Sequence, residues 1–181
     1  MFRRTILVGT ALVLAGCASP PADPAAVRRN IDGQVDAAMA ELDRSPDLRQ
    51  LASRATGVLV FPEVLSGGFI VGASHGRGAL RVQGRTVGYY SLNAGSVGLL
   101  AGAQSKTMYI LFMTPEALRH MRDNEGWTIG TDASVAVIQV GAEGRVDSST
   151  ARADVIGVVR NQTGFMANLS LDGTKISRLA L

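Results

Sequence analysis

The stretch GVLVFPEVLSGGFIVGASHGRGALRVQ, residues 57–83, decides the fold of this chain. Its apolar runs at 58–61 and 69–73 predict two short strands separated by a break at Phe61-Pro62. Residues 77–83 alternate in polarity, which predicts a third strand, and Gln83-Gly84-Arg85 predicts a tight hairpin turn into the next. Glycines inside strands permit bending, so this glycine-rich stretch predicts a curled sheet.

The rest of the chain continues this strand pattern. Further strands are predicted at 86–92, 97–104, 107–113, 133–140, 155–160, 164–171 and 174–179. The run 107–113, TMYILFM, is nearly continuous in its apolar character, which predicts a strand buried on both faces or lying beneath helices. About nine short strands predict a mostly antiparallel sheet curled into a barrel or half-barrel.

Three helices are expected around this sheet. Apolar residues at helical spacing follow residue 26, and Ser45-Pro46-Asp47 and Thr114-Pro115-Glu116 each combine an N-cap with proline at the first helical position. The N-terminal helices form either a lid over one side of the sheet or an amphipathic surface for a membrane. Their polar faces mix acids with bases, which favours the lid. The predicted fold class is α+β, with N-terminal helices packed on the sheet.

The N-terminus has the features of a bacterial lipoprotein leader. Residues 1–5, with Arg3 and Arg4, form a basic region before an apolar segment at 6–15, which ends in Leu14-Ala15-Gly16-Cys17, the lipobox pattern of bacterial lipoproteins. This lipobox predicts a signal peptide at 1–16, a lipidated tether at 17–25 and one domain at 26–181. An ordinary signal peptide with a chance cysteine is the alternative, but no other cysteine is available for a disulfide. Ala18, where Asp would favour inner-membrane retention, indicates the periplasmic face of the outer membrane.

Composition limits the class of function. The chain has 181 residues, of which 46% are hydrophobic and 18% charged, as in a globular domain. The net charge is +3, and removal of Arg3 and Arg4 with the leader reduces it to +1. This balance argues against nucleic acid as a partner.

No pattern in the sequence indicates catalysis, a metal or a cofactor. The two histidines, His75 and His120, are far apart, and Ser74 and His75 point to opposite faces of a strand. The glycines at 98–102 lack the spacing of a phosphate-binding loop. We therefore expect a protein that is not an enzyme, with a hydrolase using the polar loop 122–127 as the weakest hypothesis.

Several motifs together resemble one known family. In order they are GVLVFPEVLSGGFIVG, GALRVQGRTVGYYS, GLLAGAQSKTMYILFMTPEAL, GWTIGTDASVAV and LDGTKISRL. This order and spacing resemble the SYLF-domain family of lipid-binding proteins, over residues 31–181. The resemblance implies lipid or membrane binding; eukaryotic relatives add an SH3 domain and bind phosphoinositides and actin, whereas bacterial relatives are single-domain envelope proteins. Ser66 replaces a lysine common in the family, and His75 also departs from its pattern.

A lipid site needs an apolar groove with a basic rim. The candidate headgroup ligands are Arg77, Arg81, Arg85 and Lys106. The alternative is that these charges protect a solvated strand edge. Three aromatic residues belong either to a lipid interface or to the core: Tyr89, Tyr90 and Trp127. The predicted function is an outer-membrane lipoprotein that binds phospholipid, and the alternative is an adaptor that binds another envelope protein and uses lipid only as its anchor.

Overall fold

A computed structural model describes residues 23–68, 71–97, 102–140, 152–161 and 171–181. The predicted signal peptide, Cys17 and most of the predicted strand 164–171 lie outside the described residues. The described chain forms three helices and one eight-stranded sheet that curls into a half-barrel, which confirms the predicted α+β class. No helix among the described residues is long and apolar enough to cross a membrane.

Each helix begins at a proline. The helices are α1 Pro24–Leu42, α2 Pro46–Arg54 and α3 Pro115–Asp123. Asp23 caps α1 by accepting a hydrogen bond from the Ala25 amide at 3.0 Å, and Thr114 caps α3 through the Ala117 amide at 3.3 Å. Proline suits this position because the first amides of a helix have no partner within it. The helix α1 therefore includes the last two residues of the predicted tether.

The eight strands form one mixed sheet. They are β1 Gly57–Gly68, β2 Val71–Val82, β3 Arg85–Val97, β4 Gly102–Phe112, β5 Gly126–Thr128, β6 Ala136–Val140, β7 Val155–Asn161 and β8 Lys175–Arg178. Their order is β5-β8-β3-β2-β1-β4-β7-β6, and all neighbours are antiparallel except β6 and β7. The central order β3-β2-β1-β4 is that of a Greek key. Gln83 and Gly84 form the predicted hairpin turn with φ of 50° and 76°.

The predicted break at Phe61-Pro62 is wrong, because β1 continues through it. Pro62 has no amide hydrogen for the sheet ladder, and the register shifts between Val60 and Glu63 on the β2 side. The shift is a β-bulge, in which two residues of β1 oppose Gly78 of β2. The bulge accommodates proline in a central strand.

Three predicted strand boundaries also require correction. Strand 69–73 is not a separate strand: β1 ends at Gly68, β2 begins at Val71, and Gly68 pairs with Gly72. Strand 97–104 is divided between the end of β3 and the start of β4. The apolar run 133–140 forms a strand only from Ala136, because the preceding residues form a turn with Gly130 at φ 90°. Short apolar runs do not show where a chain reverses.

The sheet has a buried core on each face. The inner face packs against α3 and includes Leu59, Phe61, Leu80, Met108, Ile110, Phe112 and Trp127. The outer face packs against α1 and α2 and includes Val58, Val60, Ala79, Tyr109, Leu111 and Val158. Because residues 108–112 of β4 contribute to both cores, the prediction of a strand buried on both faces is confirmed.

Candidate functional site

The four predicted headgroup ligands do not form one cluster. Arg77 and Arg81 lie on the outer face of β2, in phase with Ala79, while Arg85 is exposed at the start of β3. Lys106 lies on the inner face of β4, in phase with Met108. The sheet therefore separates Lys106 from the arginines.

Arg81 is engaged by the helix α1. Its side chain is 15% exposed, and its Nη2 donates to Asp36 Oδ1 at 2.5 Å and lies 3.5 Å from Asp32 Oδ1. Asp32 also accepts hydrogen bonds from Thr86 Oγ1 and Tyr89 Oη, both at 2.7 Å. Burial, together with the hydrogen bond to Asp32, raises the pKa of Tyr89. These contacts fix α1 on the sheet as a lid.

Lys106 is a buried lysine. Lys106 is 8% exposed, and among the described residues no carboxylate forms an ion pair with it. Burial lowers the pKa of its ammonium group because removing a charge from water is costly. Ser66 is also buried and shares a 2.7 Å hydrogen bond with Ser74.

Replacing Lys106 with methionine is expected to raise the free energy of unfolding at pH 7, by about 1 kcal/mol. The Lys106 ammonium group loses its proton at a lower pH in the folded chain than in the unfolded chain. The free energy of unfolding of the unsubstituted protein therefore rises with pH, up to the ordinary lysine pKa of 10.5. The gain from methionine should therefore shrink between pH 7 and pH 10. Urea unfolding across this range measures it, with Lys175→Met at an exposed position as the control. A gain independent of pH would contradict the account.

Arg77 and Arg85 both remain available, and Arg77 is the one of the two that lines a groove. It is exposed, and no carboxylate of the described residues lies within 4.0 Å of its guanidinium. It borders a groove of about 410 Å³ between the first turns of α1 and the sheet. Val27 of α1 and Leu65 and His75 of the sheet also line this groove. The groove combines an apolar wall with one cation, Arg77, and one carboxylate, Glu63.

A second groove, of about 490 Å³, lies farther along the same strands. Its lining contains no Asp, Glu, Lys or Arg, and consists of Leu65, Ser66, Gly67, Ala73, Ser74, His75, Gln104 and Ser105. The His75 Nδ1 and Asn93 Oδ1 atoms are 2.8 Å apart. The sequence prediction missed Leu65, since a bulge upstream of it changes the direction of its side chain.

Two of the aromatic candidates, Tyr90 and Trp127, belong to the protein interior, and Tyr89 is partly buried against α1. Trp127 and Tyr90 are 1% and 3% exposed, and the Tyr89 hydroxyl is held by Asp32. Among the described residues, no group of three His, Cys, Asp or Glu side chains is placed to hold a metal ion. The described geometry thus offers grooves and a cation as its functional features.

Comparison with known proteins concerns the C-terminal part of the chain. Residues 93–179 match a family model described as Ysc84, Las17-binding protein actin regulator. No curated protein matches the chain. The matched segment runs from the end of β3 through β8 and contains Lys106, whereas the three candidate arginines precede it.

Proposed function

Residues 93–179 belong to the SYLF-domain family, and from this premise we propose that the chain binds phospholipid at a membrane surface. The single observation that carries the proposal is the family membership. Two features of the fold support it: the free guanidinium of Arg77 and the apolar grooves beside it. Anionic phosphate groups pair with arginine through charge-assisted hydrogen bonds. The proposed activity is binding, without catalysis.

We further propose that the protein is a lipoprotein of the outer membrane, facing the periplasm. The support is the sequence at 1–17, in which an apolar leader ends at the lone Cys17. Acyl chains on this cysteine and its amino group supply the two or more signals that stable anchoring needs. Ala18 supports release to the outer membrane. Mass spectrometry of the protein extracted from membranes tests the anchor: an unmodified Cys17 would contradict it.

Vesicle sedimentation tests phospholipid binding directly. The chain from Ala18 to Leu181 contains every described element and lacks the anchor, so binding reports on the domain alone. We expect it to sediment with vesicles of phosphatidylglycerol and phosphatidylethanolamine, and more weakly at high salt because exposed charges are screened. Failure to bind these vesicles or zwitterionic ones, together with no lipid in native mass spectra of the purified domain, would refute the proposal.

Arg77→Glu is expected to weaken binding to the anionic vesicles about tenfold or more. Each basic residue near an anionic surface contributes about 1 kcal/mol, and charge reversal replaces an attraction by a repulsion. The variant should retain its fold, because the Arg77 side chain is exposed and has no ion pair to a described carboxylate. Titration with vesicles at low and moderate salt measures the loss.

Arg49→Glu is the matched control. Arg49 is exposed on α2, which precedes the beginning of β1. Arg77 lies on β2 and pairs with Glu63 in the second half of β1. Both variants have the same net charge, so a general electrostatic effect would weaken both equally. Equal losses would remove Arg77 from the binding site.

A protein partner is the alternative function. The description of the matched family names Las17 binding and actin regulation, which are protein interactions. For this chain, the corresponding partner would be another envelope protein, and Cys17 would supply only the anchor. Crosslinking in intact cells distinguishes the two: one dominant protein adduct, combined with absence of vesicle binding by the domain, favours the adaptor.

A further inference from the structure

The end of the sheet beyond α1 has an exposed apolar face. Among the described residues, three large hydrophobic side chains are exposed: Leu65 at 56%, Val71 at 71% and Val87 at 36%. Leu65 pairs with His75, and Val71 lies in phase with His75 along β2. Leu65, Val71 and His75 therefore share the outer face. We call Leu65, Gly67, Val71, Ala73 and His75 the distal face. All five are exposed.

The distal parts of β1, β2, β3 and β4 carry no charge, and Lys175 of β8, the Cα partner of Asn93, lies beyond them on the far side of β3. Residues 64–76, which include the facing halves of β1 and β2, contain no Asp, Glu, Lys or Arg, and neither do residues 86–105. The strand β3 from Thr86 onward and the first four residues of β4 fall in the second segment, and these two strands flank β1 and β2 in the sheet. A surface that stays in water normally carries charged residues, and an exposed apolar patch without them marks an interaction site.

The N-terminus of the described chain lies at the same end. Ala26 and Val27 in the first turns of α1 line the groove that contains Leu65 and His75. Cys17 precedes Asp23 by only a short tether, which spans at most about 20 Å when fully extended. The acyl chain proposed for Cys17 would therefore hold the bilayer within reach of the distal face.

The basic rim of this surface is Arg77. It follows His75 by two residues on the outer face of β2, which places it about 7 Å farther along the strand. Glu63 of β1 is its Cα partner, but the two side chains form no ion pair. An uncharged patch next to one free arginine matches the boundary between acyl chains and anionic headgroups.

We propose that the distal face is the surface by which the domain lies on the bilayer that holds the Cys17 anchor. Leu65 and Val71 enter the interface between acyl chains and headgroups, and Arg77 contacts headgroup phosphate at its border. The inference rests on the proposed function and adds to it the surface, the depth and the orientation of the domain.

Single-cysteine labelling tests the inference in the full chain. The chain has one native cysteine, Cys17, whose thiol takes no maleimide once it is acylated, so an added cysteine is the one free thiol. In intact bacterial membranes, Val71→Cys and Leu65→Cys should resist a water-soluble maleimide until detergent is added. Val87→Cys, also an exposed apolar position but near the opposite end of β3, should react at once. Equal reactivity at positions 65, 71 and 87 would overturn the proposal.

Vesicle experiments separate this inference from the proposed function. In the chain from Ala18 to Leu181, an environment-sensitive dye at position 71 should shift its emission to the blue on binding phosphatidylglycerol-containing vesicles, and one at position 87 should not. Val71→Asp should weaken binding about tenfold, and Val87→Asp less than about twofold. Circular dichroism confirms that both variants keep their fold.

The possible outcomes are distinct. Vesicle binding with unchanged emission at position 71 overturns the distal face and leaves the proposed function standing. No vesicle binding, with free labelling in the intact membrane, overturns both. Protection in the membrane without vesicle binding by the domain indicates a protein on this face and overturns the bilayer as its occupant.

Discussion

Gly78→Ala is expected to lower the free energy of unfolding by at least about 3 kcal/mol, or to prevent folding. A methyl group at this position would lie 2.0 Å from the Val60 carbonyl oxygen and 2.8 Å from the Phe61 ring. Both neighbours belong to the bulged part of β1, and one of them is backbone in a central strand. The contact cannot be relieved by rotating a flexible side chain, so β1 and β2 must separate.

Gly33→Ala is the matched control for this substitution. No atom lies within 4 Å of the methyl group at that position, which is exposed in the interior of α1. The same change should therefore stabilise the protein by about 0.5–1 kcal/mol through helix propensity. Urea unfolding followed by circular dichroism and by Trp127 fluorescence measures both variants. A change of less than 1 kcal/mol for Gly78→Ala would mean that the bulge relaxes without cost.

Trp127→Ala is expected to lower the free energy of unfolding by about 3–5 kcal/mol. The indole is 1% exposed, and its ring centroid lies 5.8 Å from that of Phe112 at an angle of 58°. It belongs to the inner core together with Met121 of α3, and it lies in the middle of β5, a strand of only three residues. Its removal would leave a large cavity between the sheet edge and α3.

Trp127→Phe separates the contribution of side-chain volume to stability from that of the indole N–H. The Nε1 atom is buried without a hydrogen-bond partner among the described residues, so phenylalanine removes no described hydrogen bond and retains an aromatic ring. We expect a loss of about 1 kcal/mol, from the smaller volume alone. Unfolding must be followed by circular dichroism, since Trp127 is the single tryptophan. If alanine cost no more than phenylalanine, β5 would lie outside the cooperative core.

The local features of the fold were predictable from sequence. The proline starts of α2 and α3, the Gln83-Gly84 turn and the apolar run of β4 each depend on neighbouring residues, and each is present. Local chemistry decides such features because capping, turn formation and strand burial use residues close in sequence. The resemblance of the C-terminal motifs to the SYLF-domain family is confirmed by the family match at residues 93–179.

The candidate site was less predictable. Arg81 looked equivalent to Arg77 in sequence, but carboxylates of α1, Asp32 and Asp36, engage it across more than forty positions of chain. Lys106 was predicted as a headgroup ligand, yet the sheet buries it on the inner face. Partners that are distant in sequence have no local signal, so spacing alone could not separate the free cation from the structural one.

The sequence by itself determined that this chain builds a curled sheet under N-terminal helices, because alternating polarity and turn residues act locally. Only the tertiary structure decided which side chains face outward at the distal end. Leu59 and Phe61 point to the inner core, and strict alternation would place Leu65 there as well. The bulge at Pro62 shifts the phase by one residue, so Val64 turns inward and Leu65 outward. That shift requires the missing side chain of Gly78 on the neighbouring strand, a contact that exists only after β1 and β2 have paired.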